Sequence, residues 1–279
     1  LMNKSSLSSS VGEVLNIAVI GKPISGGFSL HLPLNDIDDA IAKGHIKFAN
    51  NELNLAAPEM LFSNLYGELF FENDVVTVPE LRANWRGMPI TFHVDAKNQA
   101  DHYLTKLNFD GLWAKELWRL EIPEPLQKYI DGKANWQAEL ELVIPHQGEF
   151  RYQLDLSANL SQNTFNLPYP YNKPKQQAAN LVVDITGNES SSNIQANLDE
   201  NLSFYGDLDH KITSFSRAHL LLGHEKMMLP LEGFHITTML DEADVNDWQP
   251  FISDILAALP KDSMNADSGT KDKPLFGEP

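Results

Sequence analysis

Period-two alternation of apolar and polar residues runs through most of this chain and predicts β-strands. The clearest stretch starts at Gly132. Ala134, Trp136, Ala138, Leu140, Leu142 and Ile144 point one way, and Asn135, Gln137, Glu139 and Glu141 point the other. Pro145-His146-Gln147-Gly148 then supplies turn chemistry. The return puts Phe150, Tyr152, Leu154, Leu156 and Ala158 on one face, with Arg151, Gln153, Asp155 and Ser157 opposite. This pattern predicts a hairpin with one wet face and one apolar face. At about 3.3 Å per residue the first strand is on the order of 36 Å long, where typical strands reach about half that.

Shorter versions recur. Phe28, Leu30, Leu32 and Leu34 alternate, as do Leu181, Val183 and Ile185, then Ile194, Ala196 and Leu198, then Leu202, Phe204 and Leu208. The Ser/Asn/Gly-rich run from Gly187 to Asn193 reads as a hairpin loop. A weak repeat aligns Gly44-His45-Ile46-Lys47-Phe48-Ala49-Asn50-Asn51 with Gly67-Glu68-Leu69-Phe70-Phe71-Glu72-Asn73-Asp74, each followed by alternating apolar residues. It reads as strand, tight Asn-Asn or Asn-Asp turn, strand. Repeated hairpins predict an elongated antiparallel sheet that grows by adding units rather than a closed globule. Helices are few. Leu112–Leu120 and Pro125–Ile130 are short candidates. The strongest is Asn246–Leu259, capped by Asn246 or Asp247, with Trp248, Phe251, Ile252, Ile255, Leu256 and Leu259 as its apolar stripe and Pro250 in the first turn.

Composition narrows the function classes. The chain has 279 residues, 42% of them hydrophobic, enough for a sizeable core. Residues 1–13 are Ser-rich and read as a flexible segment, 14–259 as the β-rich body, and 260–279 as a polar linker or tail. Acidic residues number 38 against 21 basic, for a net charge of −17. Such a surface repels a phosphate backbone, so nucleic acid is not an expected partner. Cysteine is absent, which removes disulfides, thiolate metal sites and cysteine catalysis. No apolar run approaches the roughly eighteen residues of a membrane-spanning helix. Lys4 is not followed by the continuous apolar core of a signal peptide, and Leu1 ahead of Met2 suggests either an added leading residue or an excised piece of a longer protein. Any membrane anchor is expected outside it.

No catalytic constellation emerges. His219 and His224 lack a metal-binding frame and would fall on opposite faces of a strand. Asp241, Glu242, Asp244 and Asp247 fail the calcium-loop pattern, because Asn246 and Ile252 stand where Gly and Glu are needed. They read as a solvated turn whose carboxylates suit the start of the last helix. Gly21-Lys22-Pro23-Ile24-Ser25-Gly26-Gly27 lacks the Gly-Lys-Ser/Thr of a phosphate loop and reads as a bend at a strand start. The chain is therefore read as non-enzymatic, with no metal and no cofactor. Trp136, Phe150, Tyr152, Tyr169, Tyr171 and Phe204 lie in or beside alternating strands. They fit either ordinary core packing or an apolar face that lines an open groove for an aliphatic ligand.

Several segments, in order along the chain, resemble the AsmA-like proteins of Gram-negative envelopes, in particular the YhdP type. They are Gly26-Gly27-Phe28-Ser29-Leu30-His31-Leu32-Pro33-Leu34, then Gly44-His45-Ile46-Lys47-Phe48 with its repeat at Gly67-Glu68-Leu69-Phe70-Phe71, then Asp131 to Leu140. Tyr152 to Leu160 running into Leu167-Pro168-Tyr169-Pro170-Tyr171-Asn172-Lys173-Pro174 is the most specific, and Val245-Asn246-Asp247-Trp248 before a helix completes the series. Tyr171 departs from the pattern, which expects Leu. The likeness covers residues from about 20 to 256.

The resemblance implies a curved β-trough, apolar inside and polar outside. It implies a periplasmic segment of an inner-membrane-anchored protein, continued by neighbouring β-segments of the same chain. Its partner would be phospholipid or another acyl-chain lipid, carried between inner and outer membranes in support of the outer-membrane barrier. Groove-lining candidates are Trp136, Leu140, Leu142, Ile144, Phe150, Tyr152, Leu154, Leu156 and Phe204. The alternative is a non-catalytic structural or interaction module of the cell envelope, whose apolar face is simply a core.

Overall fold

The computed structural model describes residues 18–33, 40–56, 59–115, 122–199, 202–223, 232–238 and 244–258. The expected flexible ends, 1–13 and 260–279, lie outside these residues, as do Leu34, His224, Asp241, Glu242 and Leu259.

The alternating segments form long strands. β3 (Ile41–Ala56), β4 (Glu59–Glu72), β5 (Val75–Trp85), β6 (Met88–Asn98), β7 (His102–Ala114), β8 (Ile130–Pro145) and β9 (Arg151–Asn159) make an antiparallel meander, each paired with the next. A short strand β10 (Asn163–Phe165) pairs with the start of β8. β11 (Asn180–Asn188), β12 (Ser191–Leu198), β13 (Leu202–Asp209) and β14 (Ser214–Leu222) extend the sheet beyond β9. The path from β1 (Ala18–Gly21) to β15 (Gly233–Thr238) passes through thirteen strands. At a strand spacing of about 4.8 Å, that is roughly 58 Å of sheet. The sheet is open and curved, and its inner face is mainly apolar.

Register creates that face. Directly paired residues point to the same side. Trp136 stands opposite Gly111 and Ala158, Leu140 opposite Leu107 and Leu154, and Leu154 opposite Ile185. The apolar sets of successive strands therefore join into one surface. The polar sets, such as Glu139, Asp155 and Asp184, join on the outer side.

The two copies of the repeat resolve differently. Asn73-Asp74 is the expected turn between β4 and β5. Asn50-Asn51 is not a turn; it is a bulge inside β3, with Asn50 at φ 64°. Asn51 is buried, 1% exposed. Its Oδ1 accepts the Ala49 N–H at 2.8 Å, and its Nδ2 donates to the Gly21, Lys22 and Pro23 carbonyls at 3.1, 3.3 and 3.2 Å. Those carbonyls belong to the bend between β1 and β2 (Ser25–His31), which lie end to end along one edge of β3. The bulge lets one strand serve two edge partners without breaking. The copies are also each other's cross-strand partners: Gly44 pairs with Phe71, and Gly67 with Phe48. A Cβ on Gly44 would stand 2.8 Å from the Phe71 ring, so glycine makes room for it.

Three further expectations are corrected. β15 pairs with β14 in parallel, so the sheet is mixed rather than wholly antiparallel. Parallel neighbours need a crossover, which residue alternation does not encode. Leu112 and Trp113, expected to begin a helix, instead finish β7, because their pairing with Asn135 and Ala134 of β8 extends the ladder. Residues 116–120 of that expected helix lie outside the described residues. The candidate at Pro125–Ile130 shrinks to a three-residue 3-10 turn, Glu124–Leu126, and Ile130 already opens β8.

The last helix, α1, spans Val245–Ala258. Its cap is Asp244 rather than Asn246 or Asp247. The Asp244 Oδ1 accepts the Asn246 N–H at 2.8 Å, and its carbonyl accepts the Trp248 N–H at 3.0 Å. This earlier start moves Pro250 out of the first turn and into the helix. Trp248, Phe251 and Ile255 are buried as expected, whereas Leu256 faces solvent.

Candidate functional site

The inner face divides into two regions by residue type. Across β3–β7 it is aromatic and self-filled. Phe48, Phe62, Leu65, Val78, Leu81, Ile90 and Phe92 are all buried. Phe62, Phe92 and Phe109 interlock in tilted pairs at 5.8 and 6.0 Å. Across β8–β13 the lining is mainly aliphatic and only half-buried: Leu140, Leu142, Leu154, Leu156, Val183, Ile185 and Ile194 keep contact with solvent. The seam between the two is a tryptophan pair. Trp113 stacks on Trp136 at 5.4 Å and 23°. Gly111 makes room beside them, since a Cβ there would meet the Trp136 indole at 2.7 Å.

One end of the aliphatic region is roofed. α1 lays Trp248, Phe251 and Ile255 over Leu222, with Leu202, Leu220, Phe234 and Ile236 packed around them. A network at the 3-10 turn fastens it. The Lys128 ammonium lies 2.7 Å from the Asp254 Oδ2, and the Tyr129 hydroxyl donates to the same oxygen at 2.6 Å. Tyr129 also meets Phe251 edge-on at 5.0 Å. The Lys128 hydrogen bond holds the Asp254 carboxyl below its ordinary range. Burial, with Asp254 next, raises the Tyr129 phenol. At the start of the helix the Trp248 indole N–H donates to the Tyr169 carbonyl at 3.3 Å, and Tyr171 meets the Trp248 ring edge-on at 5.9 Å. Tyr171, the departure from the family pattern, is thus part of the roof.

Between roof and sheet lies a chamber of about 650 Å³, within the roughly 300–1,000 Å³ of small-molecule sites. It runs from the β5–β6 hairpin at Trp85 and Met88, past Ala134 and Leu181, to Leu220, Phe251 and Ile255. Walls of this kind disfavour water and accept apolar guests. Beside it, the Lys173 ammonium is buried, donates to the Asn163 carbonyl at 2.6 Å and lies 5.3 Å from the centre of the Phe165 ring. Burial lowers its pKa.

The sequence candidates fall as follows. Leu140, Leu142, Ile144, Tyr152, Leu154 and Leu156 share the half-buried inner face. Trp136 is buried in the seam. Phe150 precedes β9, 6.3 Å from Tyr152. Phe204 packs edge-on against Phe215 at 5.4 Å. The Tyr152 hydroxyl does more than line a groove. It bonds the Ser192 hydroxyl at 2.5 Å, which in turn bonds His210 Nε2 at 2.6 Å, a polar chain at the end of the face away from α1. Among the described residues no group of three or more histidines and acids could hold a metal. His219 is buried and bonds Thr237.

The chamber wall includes residues that sequence reasoning did not assign to a site: Trp85, Arg86, Met88, Trp113, Leu160 and Phe165. Arg86-Gly87, both at positive φ, was a readable hairpin signal. The chamber itself was not readable, because its wall and roof come from segments far apart in the chain.

The family model described as "YhdP protein" matches residues 1–274. The chain is 25% identical over 209 residues to the Escherichia coli (strain K12) protein named "Intermembrane phospholipid transporter YhdP". That alignment covers 74% of this chain and 16% of the relative, so the chain spans a small part of the relative's length. No solved structure matches the chain significantly.

Proposed function

The chain belongs to the YhdP family, and from that premise we propose that it is one segment of a bridge-like lipid transporter. Its half-buried aliphatic face shields phospholipid acyl chains on their way between inner and outer membranes. The observation that carries this reading is the unfilled inner face of β8–β13, where Leu140, Leu154, Val183 and Ile185 remain solvent-accessible although all point inward. An acyl chain laid on such a face gains roughly 0.8 kcal/mol per methylene buried. The contact is non-directional, so the chain can slide. The acidic outer face keeps the trough apart from anionic membrane surfaces. The segment stands in the periplasm and performs no catalysis, its body extends over residues 14–259, and its membrane anchor belongs to the longer protein.

Leu140, Leu142, Ile144, Leu154 and Leu156 form the lipid-facing surface, with Tyr152 and Phe204 towards its margins. The filled face of β3–β7 supports the structural alternative for that region alone, as a rigid wall rather than a path. The test is photo-crosslinking in cells. A benzophenone side chain at Leu140 or Leu154 is expected to capture acyl-chain lipid, and one at the adjacent outward Gln153 is not. Equal capture at Leu154 and Gln153 sinks the reading.

A further inference from the structure

We propose that the margin of the inner face away from α1 is a binding site for the ammonium head of a zwitterionic lipid, whose acyl chains run along the strands towards α1. This head site rests on the lipid-facing reading of the inner face and gives the bound lipid an orientation. Its residues share one cross-strand row. Thr105 pairs with Leu142, Leu142 with Tyr152, Tyr152 with Gly187, and Gly187 with Ser192. Directly paired side chains point to the same side, so the row closes the aliphatic face with hydroxyls.

Hydrogen-bond direction identifies the head. The Glu189 carbonyl can only accept, so His210 Nδ1, 3.2 Å away, carries a proton. In the neutral ring Nε2 is then the acceptor, and it takes the Ser192 hydroxyl proton at 2.6 Å. The Ser192 oxygen in turn takes the Tyr152 hydroxyl proton at 2.5 Å. Gly187 keeps this path open, since a Cβ there would stand 2.6 Å from the Tyr152 hydroxyl. Every donor of the chain is spent. What Tyr152 still offers is oxygen lone pairs and a ring face, with the Phe150 ring 6.3 Å away. Lone pairs and ring faces together suit a cation that donates N–H. Thr105 makes a second, opposite demand: it is 7% exposed and its Oγ1 has no partner among the described residues. An ester carbonyl lying over Leu142 would accept from it.

Charge agrees. The turns at this margin carry Asp74, Asp101, Glu149 and Glu189, and Asp209 ends β13, against the fixed cations Arg151 and Lys211. Asp101 is engaged by His102, whereas Glu149 and Glu189, which flank the Tyr152–Ser192 pair, are exposed. Such a rim attracts an ammonium and disfavours a head of net negative charge. Length agrees as well. Leu142 and Trp136 are six residues apart on β8, roughly 20 Å. The acyl layer of one leaflet is about 15 Å, half of a bilayer's hydrocarbon core. Tails held by a head at Tyr152 therefore lie on Leu140, Leu154 and Ile185 and end before the tryptophan seam.

The experiment places a benzophenone side chain at Phe150 or at Leu140 of the 279-residue chain. Each protein is incubated with vesicles of equal parts phosphatidylethanolamine and phosphatidylglycerol bearing the same acyl chains. Mass spectrometry identifies the captured lipid and, by fragmentation, the part of it that is attached. The ethanolamine lipid is expected to exceed the glycerol lipid roughly three- to ten-fold, the scale of one net hydrogen bond. Attachment is expected on the head or glycerol at Phe150 and on the acyl chain at Leu140. Tyr152→Phe, which keeps the ring, is expected to bring the lipid ratio at Leu140 towards one. Glu149→Gln combined with Glu189→Gln, both exposed changes, should lower it roughly two- to five-fold, the scale of a surface charge pair. Equal capture of the two lipids at Leu140 overturns the ammonium site while the conduit stands. Acyl-chain attachment at Phe150 overturns the orientation. A ratio unmoved by all of these substitutions overturns the assignment to this margin, and capture at neither position overturns the conduit as well. Thermal melting of each protein separates lost binding from lost fold.

Discussion

The two regions of the inner face obey the same alternation but meet different ends. In β3–β7 the inward residues include Phe48, Phe62, Phe71 and Phe92, and their rings fill the concave space between strands. In β8–β13 they are mostly Leu, Ile, Val and Ala, too small to fill it, and a helix is recruited to cover one end. Side-chain volume, not hydrophobicity, separates a core from a groove here. A face can be uniformly apolar and still be closed in one half and open in the other.

That contrast gives the largest expected effects. Phe92→Ala should cost about 3–5 kcal/mol, because the site sits in close-packed rings. Leu154→Ala should cost less than about 2 kcal/mol, because much of the side chain is already in contact with water. Urea midpoints of the two variants measure the difference, and equal losses would erase the distinction between the regions. Gly111→Val tests the seam. The added carbons collide with Trp136, and overpacking of this kind costs about 1–3 kcal/mol, with a change in tryptophan fluorescence as the Trp113–Trp136 stack is pushed apart. Leu154→Asn sharpens the functional side. It should leave the protein folded, by circular dichroism, while removing most of the lipid recovered by extraction. Retained lipid would mean that the open face is not the contact surface.

The smallest effect lies on the outer side. Asp184 stands directly opposite Asp155, and burial, followed by the hydrogen bond and charge of Asp155, raises its carboxyl above the usual range. A raised folded pKa means that the native state holds this proton more tightly than the unfolded chain does. The stabilisation from this group is therefore complete below the unfolded value of about 3.9 and is lost as pH rises through the folded value. At neutral pH the pair repels, so Asp184→Asn should gain about 0.2–1 kcal/mol. The gain should shrink as the pH is lowered towards 4, as followed by chemical denaturation across pH. A gain independent of pH would show that packing, not charge, limits this position.

Much of this was legible in the residues. The Gly132–Ala158 hairpin, the strands at 181–208 and the last helix follow from local periodicity, which backbone geometry converts directly into a face. Two kinds of feature were not legible. One is the use of a turn-like pair inside a strand. Asn50-Asn51 has the chemistry of a turn, yet Asn51 bonds three carbonyls of a segment some thirty residues away and becomes a bulge. The other is what lies across the face. Alternation identifies Leu140 and Trp136 alike as inward, and only the fill contributed by neighbouring strands decides which is covered. Leu256 failed for the same reason: it lies on the apolar side of α1 by spacing, yet it remains 42% exposed.

The meander also sets an order of assembly. From β3 to β9 every strand finds its partner in the strand just before it, so loop closure is cheap and the sheet can zip forward as the chain emerges. The roof is the exception: Tyr129 and Asp254 are 125 residues apart. The clasp is therefore the last part to form and the first to fray. Hydrogen exchange should find the amides of α1 opening well before those of β5 and β6, leaving the groove exposed while the wall behind it stays intact.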